Sequence, residues 1–377
     1  MNLQRTRAMF RKELKHILRD PRSLILALAQ PLLLLLLFGW ALSLDVDRIA
    51  TLIYDADHSA RSRELIERFK GSRFFEIEGF VDGYAAIERE IDRGRILMGI
   101  AIPSDYSRHI EAGDNAAVQI LLDGSDSNTA SIALSYATAL VRSYSLELRS
   151  DTQNLRAGWS LNLPVDPRLR IWYNSTLESK NYVVPGLVAV ILMLIAALLT
   201  SLTIAREWEM GTMEQLLSTP LRPAELLLGK MMAFFVVGVI DTLIAVLVAI
   251  FVFHVPFRGS LPLLAGTSCM FLFGSFSWGI FLSAITKSQL MAYQVGFVTS
   301  FLPSFLLSGF VWAIENMPRA IQLITYLVPA RYFITILKGI FLKGVGLEAL
   351  WVELAFLVAY AGIIFVAATL KLNQKLA

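Results

Sequence analysis

Cysteine is nearly missing from this chain. Cys269 is the only one among 377 residues, so no intrachain disulfide forms and paired-cysteine metal or redox chemistry is excluded. Charge is scarce as well: Asp, Glu, Lys and Arg make up 17% of the residues, against about 25% in an ordinary soluble domain. The scarcity is uneven. Residues 45–181 hold 16 basic and 21 acidic residues, and residues 1–22 hold seven basic and two acidic, which leaves 19 of the 65 charges for the other 218 residues. Those 218 residues are too apolar for a water-soluble fold. The chain therefore reads as an integral membrane protein with one polar insert large enough for a core of its own. Catalytic signatures are absent too: there is no GxSxG, HExxH, EF-hand loop or paired-Cys ligand set.

What is present is a series of long apolar runs. Residues 23–44 are uncharged and make roughly 33 Å of helix against a hydrocarbon core of about 30 Å. This run is too long, and lacks the small-residue cleavage site, to be a removable signal peptide. Residues 182–205, 231–253, 261–286, 289–314 and 349–370 qualify as spans in the same way, giving six in all. Six spans put both termini on one side. Arg5, Arg7, Arg11, Lys12, Lys15, Arg19 and Arg22 hold the N-terminal end in the cytoplasm by the positive-inside rule, with Lys287, Lys371 and Lys375 in agreement. The insert at 45–181 is then extracytoplasmic and the loop from Arg206 to Lys230 cytoplasmic. Arg319, Arg331, Lys338 and Lys343 fall on the outer side against the rule, and the stronger N-terminal signal decides. Before the first span, Leu3, Phe10, Leu14 and Ile17 recur at helical spacing with basic residues on the other face. Residues 1–22 are read as an interfacial amphipathic helix, or as a helix serving only as topology signal.

In the insert, 49–54, 74–77, 96–102 and 117–122 are apolar runs of strand length, separated by helical patterns. Helices are expected from Ser59 to Lys70 with Leu65, Ile66 and Phe69 inward, from about Asp82 to Arg93, and from Ser104 to Gly113. A longer one follows with Leu134, Ala137, Val141, Tyr144 and Leu148 on one face. Arg168 to Tyr173 reads as an added edge strand. Alternating strands and helices imply an α/β layer structure. Asp55, Asp57 and His58, like Asp123 and Asp126, sit in turn patterns where backbone capping is the expected role. Asn174-Ser175-Thr176 fits a glycosylation acceptor, a short and unspecific pattern. The acidic balance gives no support for nucleic-acid binding.

The most informative stretch is Ala205-Arg206-Glu207-Trp208-Glu209-Met210-Gly211-Thr212-Met213-Glu214-Gln215-Leu216-Leu217-Ser218-Thr219-Pro220. Thr212 and Gln215 have capping-box spacing, Gly211 breaks the preceding helix and Pro220 ends the next. A delimited helix of about two turns is expected just below the membrane. Arg206, Glu207 and Glu209 are either snorkelling anchors at the headgroup boundary or a charged cluster able to receive force from a docked partner.

This loop resembles the signature of ABC-2-type permeases, the membrane subunits of bacterial ATP-binding-cassette exporters. Arg19-Asp20-Pro21, Val184-Pro185-Gly186, Pro303, Ser308-Gly309 and Val328-Pro329-Ala330-Arg331-Tyr332-Phe333 agree with it. The resemblance covers the whole chain and is closest to multidrug or antibiotic efflux permeases of Gram-negative bacteria. It implies an ABC-2 fold, an α-helical polytopic membrane protein with six transmembrane helices and the α/β domain inserted. It implies a coupling helix at 206–222, with Arg206, Glu207, Glu209, Gly211, Thr212, Glu214, Leu216, Leu217, Thr219 and Pro220 against a separate nucleotide-binding subunit. It also implies a re-entrant segment at 315–348, a second permease copy or a related permease, an inner-membrane location, and room for a periplasmic membrane-fusion protein as a further partner. ATP and Mg belong to the partner, because Gly229-Lys230-Met231 lacks both the upstream glycine and the hydroxyl of a phosphate-binding loop and no other is present.

Asp241 lies ten residues into the third span, roughly 15 Å deep. It is either a site for a cationic substrate or a proton, or a structural hydrogen-bonding group. The reading is thus an exporter permease for a hydrophobic or amphipathic solute. Its rivals are an ion-coupled antiporter using Asp241 and a non-transporting envelope scaffold.

Overall fold

The computed structural model describes residues 2–42, 48–157, 173–174, 178–286 and 288–376. Two units separate, Met1–Ser43 with Ile171–Ala377, and Leu44–Arg170. The expected edge strand at 168–173, Ser175, Thr176 and Lys287 lie outside the described residues, apart from Tyr173. The first unit begins with α1 (Leu3–Arg19) and α2 (Pro21–Ala41). Pro21 supplies the break between them, since proline at a first helical position leaves the preceding residue extended; Asp20 has ψ 77°.

Residues Leu44–Arg170 alternate: β1 (Ile49–Asp55), α3 (Ala60–Lys70), β2 (Phe75–Phe80), α4 (Tyr84–Asp92), β3 (Met98–Ile102), α5 (Tyr106–Ala112), β4 (Gln119–Leu122) and α6 (Ser127–Ala157). The sheet order is β2-β1-β3-β4, with β1 parallel to β2 and β3 and only β4 antiparallel. Every residue of β3 is buried, which matches its unbroken apolar run. Leu65, Ile66 and Phe69 of α3 are buried as their spacing predicts. On α6 the buried face is Ala133, Ala137 and Tyr144, whereas Leu134 is 47% exposed. Small residues let α6 lie close, and the leucine is displaced to the flank. The aspartates act as turn groups: Asp55 accepts from the backbone N–H of Asp57 and His58, each at 3.1 Å, and Asp123 accepts from Ser125 at 2.9 Å.

The first unit continues with α7 (Lys180–Glu209), α8 (Met213–Leu217), α9 (Pro223–Phe251), α10 (Leu261–Thr286), α11 (Gln289–Leu306), α12 (Arg319–Thr325), α13 (Pro329–Lys338) and α14 (Leu347–Leu376). α7 is apolar all round and is the buried centre, with Val183 to Leu198 in contact with its neighbours at nearly every position. Its approach to α10 depends on small residues: a Cβ on Gly279 would stand 2.1 Å from the Thr200 hydroxyl. That hydroxyl donates back to Ala196 O at 2.8 Å and to Phe276 O at 3.1 Å. Ser283 Oγ accepts from the N–H groups of Ile204 and Ala205, both at 2.9 Å.

Five helices among the described residues are long and apolar enough to cross a membrane: the stretch Leu24–Ala41, α7, α9, α10 and Leu347–Asn373 of α14. A bent pair, Arg319–Thr325 with Pro329–Lys343 at 79°, makes at most a sixth. α11 stops at Leu306, short of the expected residue 314, and the chain then turns at Gly309, which takes a left-handed φ of +77°. Three of the four basic residues beyond it, all but Arg319, lie over aromatic rings. The Arg331 guanidinium lies 4.1 Å over the Tyr326 ring, Lys338 3.3 Å over Tyr182 and Lys343 5.9 Å over Tyr173. Engaged in this way they are fold contacts rather than free topology charges.

Candidate functional site

Where α7 ends, Gly211 has a φ of +67° and turns the chain into α8. α8 is five residues long, about half a turn shorter than expected, and Thr212 does not cap it. Its hydroxyl donates instead to Glu207 Oε2 and is drawn back toward α7. The C-terminal end is closed early by hydroxyls: Ser218 Oγ donates to Gln215 O at 2.8 Å and Thr219 Oγ1 to Leu216 O at 2.5 Å. α8 stops at Leu217, three residues before Pro220.

Glu207 is the anchor. Its Oε1 lies 2.9 Å from Lys230 Nζ and 3.4 Å from Lys12 Nζ, while Lys230 Nζ is also 2.9 Å from Glu13 Oε1. Lys230 is 1% exposed. One buried ammonium on α9 thus joins carboxylates of α1 and α7, and a second, exposed ammonium closes the group. In a site of low effective dielectric, each charge is tolerated because the others neutralise it. Further contacts hold α1 to the same end of α9. Glu225 accepts from the N–H of Asn2 at 2.6 Å and of Arg222 at 3.2 Å, and the Arg5 guanidinium reaches the Pro220 carbonyl. Gly229 permits the close approach, since a Cβ there would meet Met9 Cβ at 2.6 Å.

The docked face of α1 is Thr6, Met9 and Glu13. The stripe expected to face the membrane interface, Leu3, Phe10, Leu14 and Ile17, is the adjacent face, half-buried at Phe10, Leu14 and Ile17 and 76% exposed at Leu3. The signal overlooked was an acid four residues after Met9 and seven after Thr6, on the same helical face. Its counterpart was a lysine at the head of an apolar run.

The predicted loop residues divide into two groups. Glu207 and Thr212 point into the cluster and the half-buried Leu216 packs with the apolar side chains around Met213, whereas Arg206, Glu209, Gly211, Glu214, Thr219 and Pro220 are exposed. Glu209 receives the N–H of Gln289 at 2.9 Å and its side-chain amide at 2.5 Å, which ties the α7 terminus to the start of α11. The side chain of Leu217 lies outside the described residues. Asp241 is distant from this cluster along α9. It is 1% exposed, and both its carboxylate oxygens lack a hydrogen-bond partner among the described residues. Among the described residues no His, Cys, Asp and Glu group has the makings of a metal site.

Comparison with known proteins covers the same ground. Residues 21–370 match the family described as ABC-2 family transporter protein. The chain is 35% identical over 378 residues to the probable multidrug ABC transporter permease YbhS of Escherichia coli K12, covering 100% of this chain and 98% of the relative. It is 33% identical over 345 residues to the probable multidrug ABC transporter permease YbhR of the same organism, covering 91% of each. ABC transporter G family member 20 of Dictyostelium discoideum is 27% identical over 207 residues, 54% of this chain and 28% of that protein.

Proposed function

The chain belongs to the ABC-2 transporter family, and from that premise we propose that it is the membrane-spanning permease of an exporter driven by ATP hydrolysis on a separate subunit. The single observation that carries this reading is the mounting of α8. Its base is fixed by Glu207, Lys230 and Glu13, while Glu214, Met210, Ser218 and Thr219 project outward and exposed. A short helix that is rigidly held at its base and bare on its outer side suits transmission of a push between a partner and the spans.

In this reading residues 206–222 dock on the nucleotide-binding subunit, which contributes ATP and Mg. α11, with 18 residues and so about 27 Å, serves as the sixth span by packing on α7, and 315–348 is re-entrant. Both termini are cytoplasmic and the insert at 45–181 lies on the periplasmic side of a bacterial inner membrane. A second permease, identical or related, completes the pathway, and a membrane-fusion protein is a fitting periplasmic partner. The solute is hydrophobic or amphipathic, in keeping with the multidrug names of the relatives. Asp241 is a polar point within the spans where such a solute or a proton is held.

The test replaces Glu214 with Lys and Met210 with Ala together, which leaves the buried cluster intact. Membrane insertion is expected to persist while copurification of the ATPase and export are lost. Wild-type export and copurification by the double variant would refute the docking role. Solute flux driven by a proton gradient through this chain alone, without ATP, would favour the antiporter.

A further inference from the structure

A cavity of about 700 Å³ opens between α1, α2, α7 and α9 beside the Glu13–Lys230–Glu207 cluster. Its size lies inside the range of about 300–1,000 Å³ typical of small-molecule sites. The lining is divided by chemistry. Leu24, Ala27, Leu198, Leu202, Phe234 and Val237 form an apolar wall, and the rim is charged. Leu26 and Tyr293, 67% and 45% exposed, also line it, so the cavity is open sideways, toward the lipid-facing side of α2 and α11.

The rim charges are not all committed. Lys12 and Lys230 are matched by Glu13 and Glu207, and Asp20 has a partner of its own. His16 and Arg206 line the same rim, are exposed, and are in no ion pair or hydrogen bond among the described side chains. They sit where α1 ends and where α7 leaves its apolar run, the end of a span at which charged side chains meet headgroups. An apolar wall below a guanidinium and an imidazole, whose ring and guanidinium N–H groups can donate to phosphate oxygens, is the complement of an anionic headgroup on a hydrocarbon tail.

We propose that this cavity seats an anionic amphiphile drawn from the adjoining leaflet, its tail on α2 and α7 and its headgroup on His16 and Arg206. The proposal deepens the exporter reading by naming a ligand class, and it rests on that reading only for which leaflet adjoins. Selection falls to the headgroup. A tail leaving the bilayer for a leucine-lined wall gains little, because lipid chains are as apolar as leucine.

The experiment uses the full chain in phosphatidylcholine nanodiscs with a trace of phosphatidylglycerol bearing a photoactivatable group on its acyl chain. Crosslinks are mapped by peptide mass spectrometry. Labelling is expected on the first turns of α2 and on the 198–202 stretch of α7. In the variant His16→Gln with Arg206→Gln it should fall about tenfold, the loss of one exposed charge contact and one imidazole hydrogen bond, while labelling of the exposed face of α14 stays constant as the folding control. The matching phosphatidylcholine probe should label wild type and variant alike. Equal cavity labelling by both headgroups, or undiminished labelling of the variant, would overturn the proposal. So would displacement of the lipid probe by millimolar inorganic phosphate, which would assign the site to a soluble anion. No nucleotide, ATPase or flux enters the measurement, so its failure is distinct from a failure of the exporter assignment.

Discussion

Replacing Lys230 with Met tests the central electrostatic claim. The side chains of Lys230, Glu13 and Glu207 are 2%, 8% and 13% exposed, and the ammonium stands 2.9 Å from an oxygen of each carboxylate. Methionine fills a similar volume without the charge and leaves two acids facing each other in a dry site. Removing one partner of a buried ion pair costs about 3–5 kcal/mol. Lys12, 54% exposed and 3.4–3.7 Å from the two acids, offsets part of this, which places the loss toward the lower bound. At about 1.4 kcal/mol per tenfold, 3 kcal/mol raises the undocked population of α1 by roughly two orders of magnitude. Hydrogen exchange of the full chain in nanodiscs reads this directly: α1 amides should exchange faster by that factor, with α14 amides unchanged. Adding Glu13→Gln removes one of the orphaned acids and should restore part of the protection, giving a coupling of at least about 0.5 kcal/mol in the double-mutant cycle. Wild-type exchange in Lys230→Met, or strictly additive effects, would refute the reasoning.

Two further outcomes follow from packing and from titration. Gly279→Ala forces a Cβ against the Thr200 hydroxyl and Ala197 O and should lower stability by about 1–3 kcal/mol as overpacking does; an unchanged unfolding midpoint in detergent would contradict the close α7–α10 contact. In the α/β unit, burial first, then Glu64, push the Tyr144 phenol up to about 12, and burial with Tyr144 beside it raises Tyr106. Because the folded values exceed the unfolded one near 10, this contribution is fully present below about pH 10 and is lost between about pH 10 and 12. Alkaline unfolding of the unit, followed by tyrosine absorbance, should therefore begin in that window and shift in Tyr144→Phe; a titration of all tyrosines near 10 would contradict it.

Several features were legible without coordinates because they depend only on neighbours in sequence. Apolar length marks 23–44, 182–205, 231–253, 261–286 and 349–370 as spans, and each falls on a helix long and apolar enough to cross a membrane, whereas the sixth expected run, 289–314, holds a helix of only 18 residues. Strand–helix alternation in 49–122 reflects periodicity, and Gly94, Gly113 and Gly211 end helices because each takes the left-handed backbone that glycine favours. The loop at 206–220 stood out by composition and punctuation.

Other features required knowing which helices touch. An amphipathic pattern gives α1 an apolar stripe, yet the face that docks is the one carrying Glu13, because Gly229 and Lys230 lie opposite it on α9. Thr212 had two partners within reach, an amide of its own helix and the carboxylate of Glu207, and local spacing names only the first. Lys230, 217 residues from Glu13, reads in sequence as a charge at the edge of a span. Composition and periodicity are local sums and so determine what kind of molecule this is. The pairing of buried charges is a long-range balance of desolvation against Coulomb attraction, and only the folded arrangement of α1, α7 and α9 decides it.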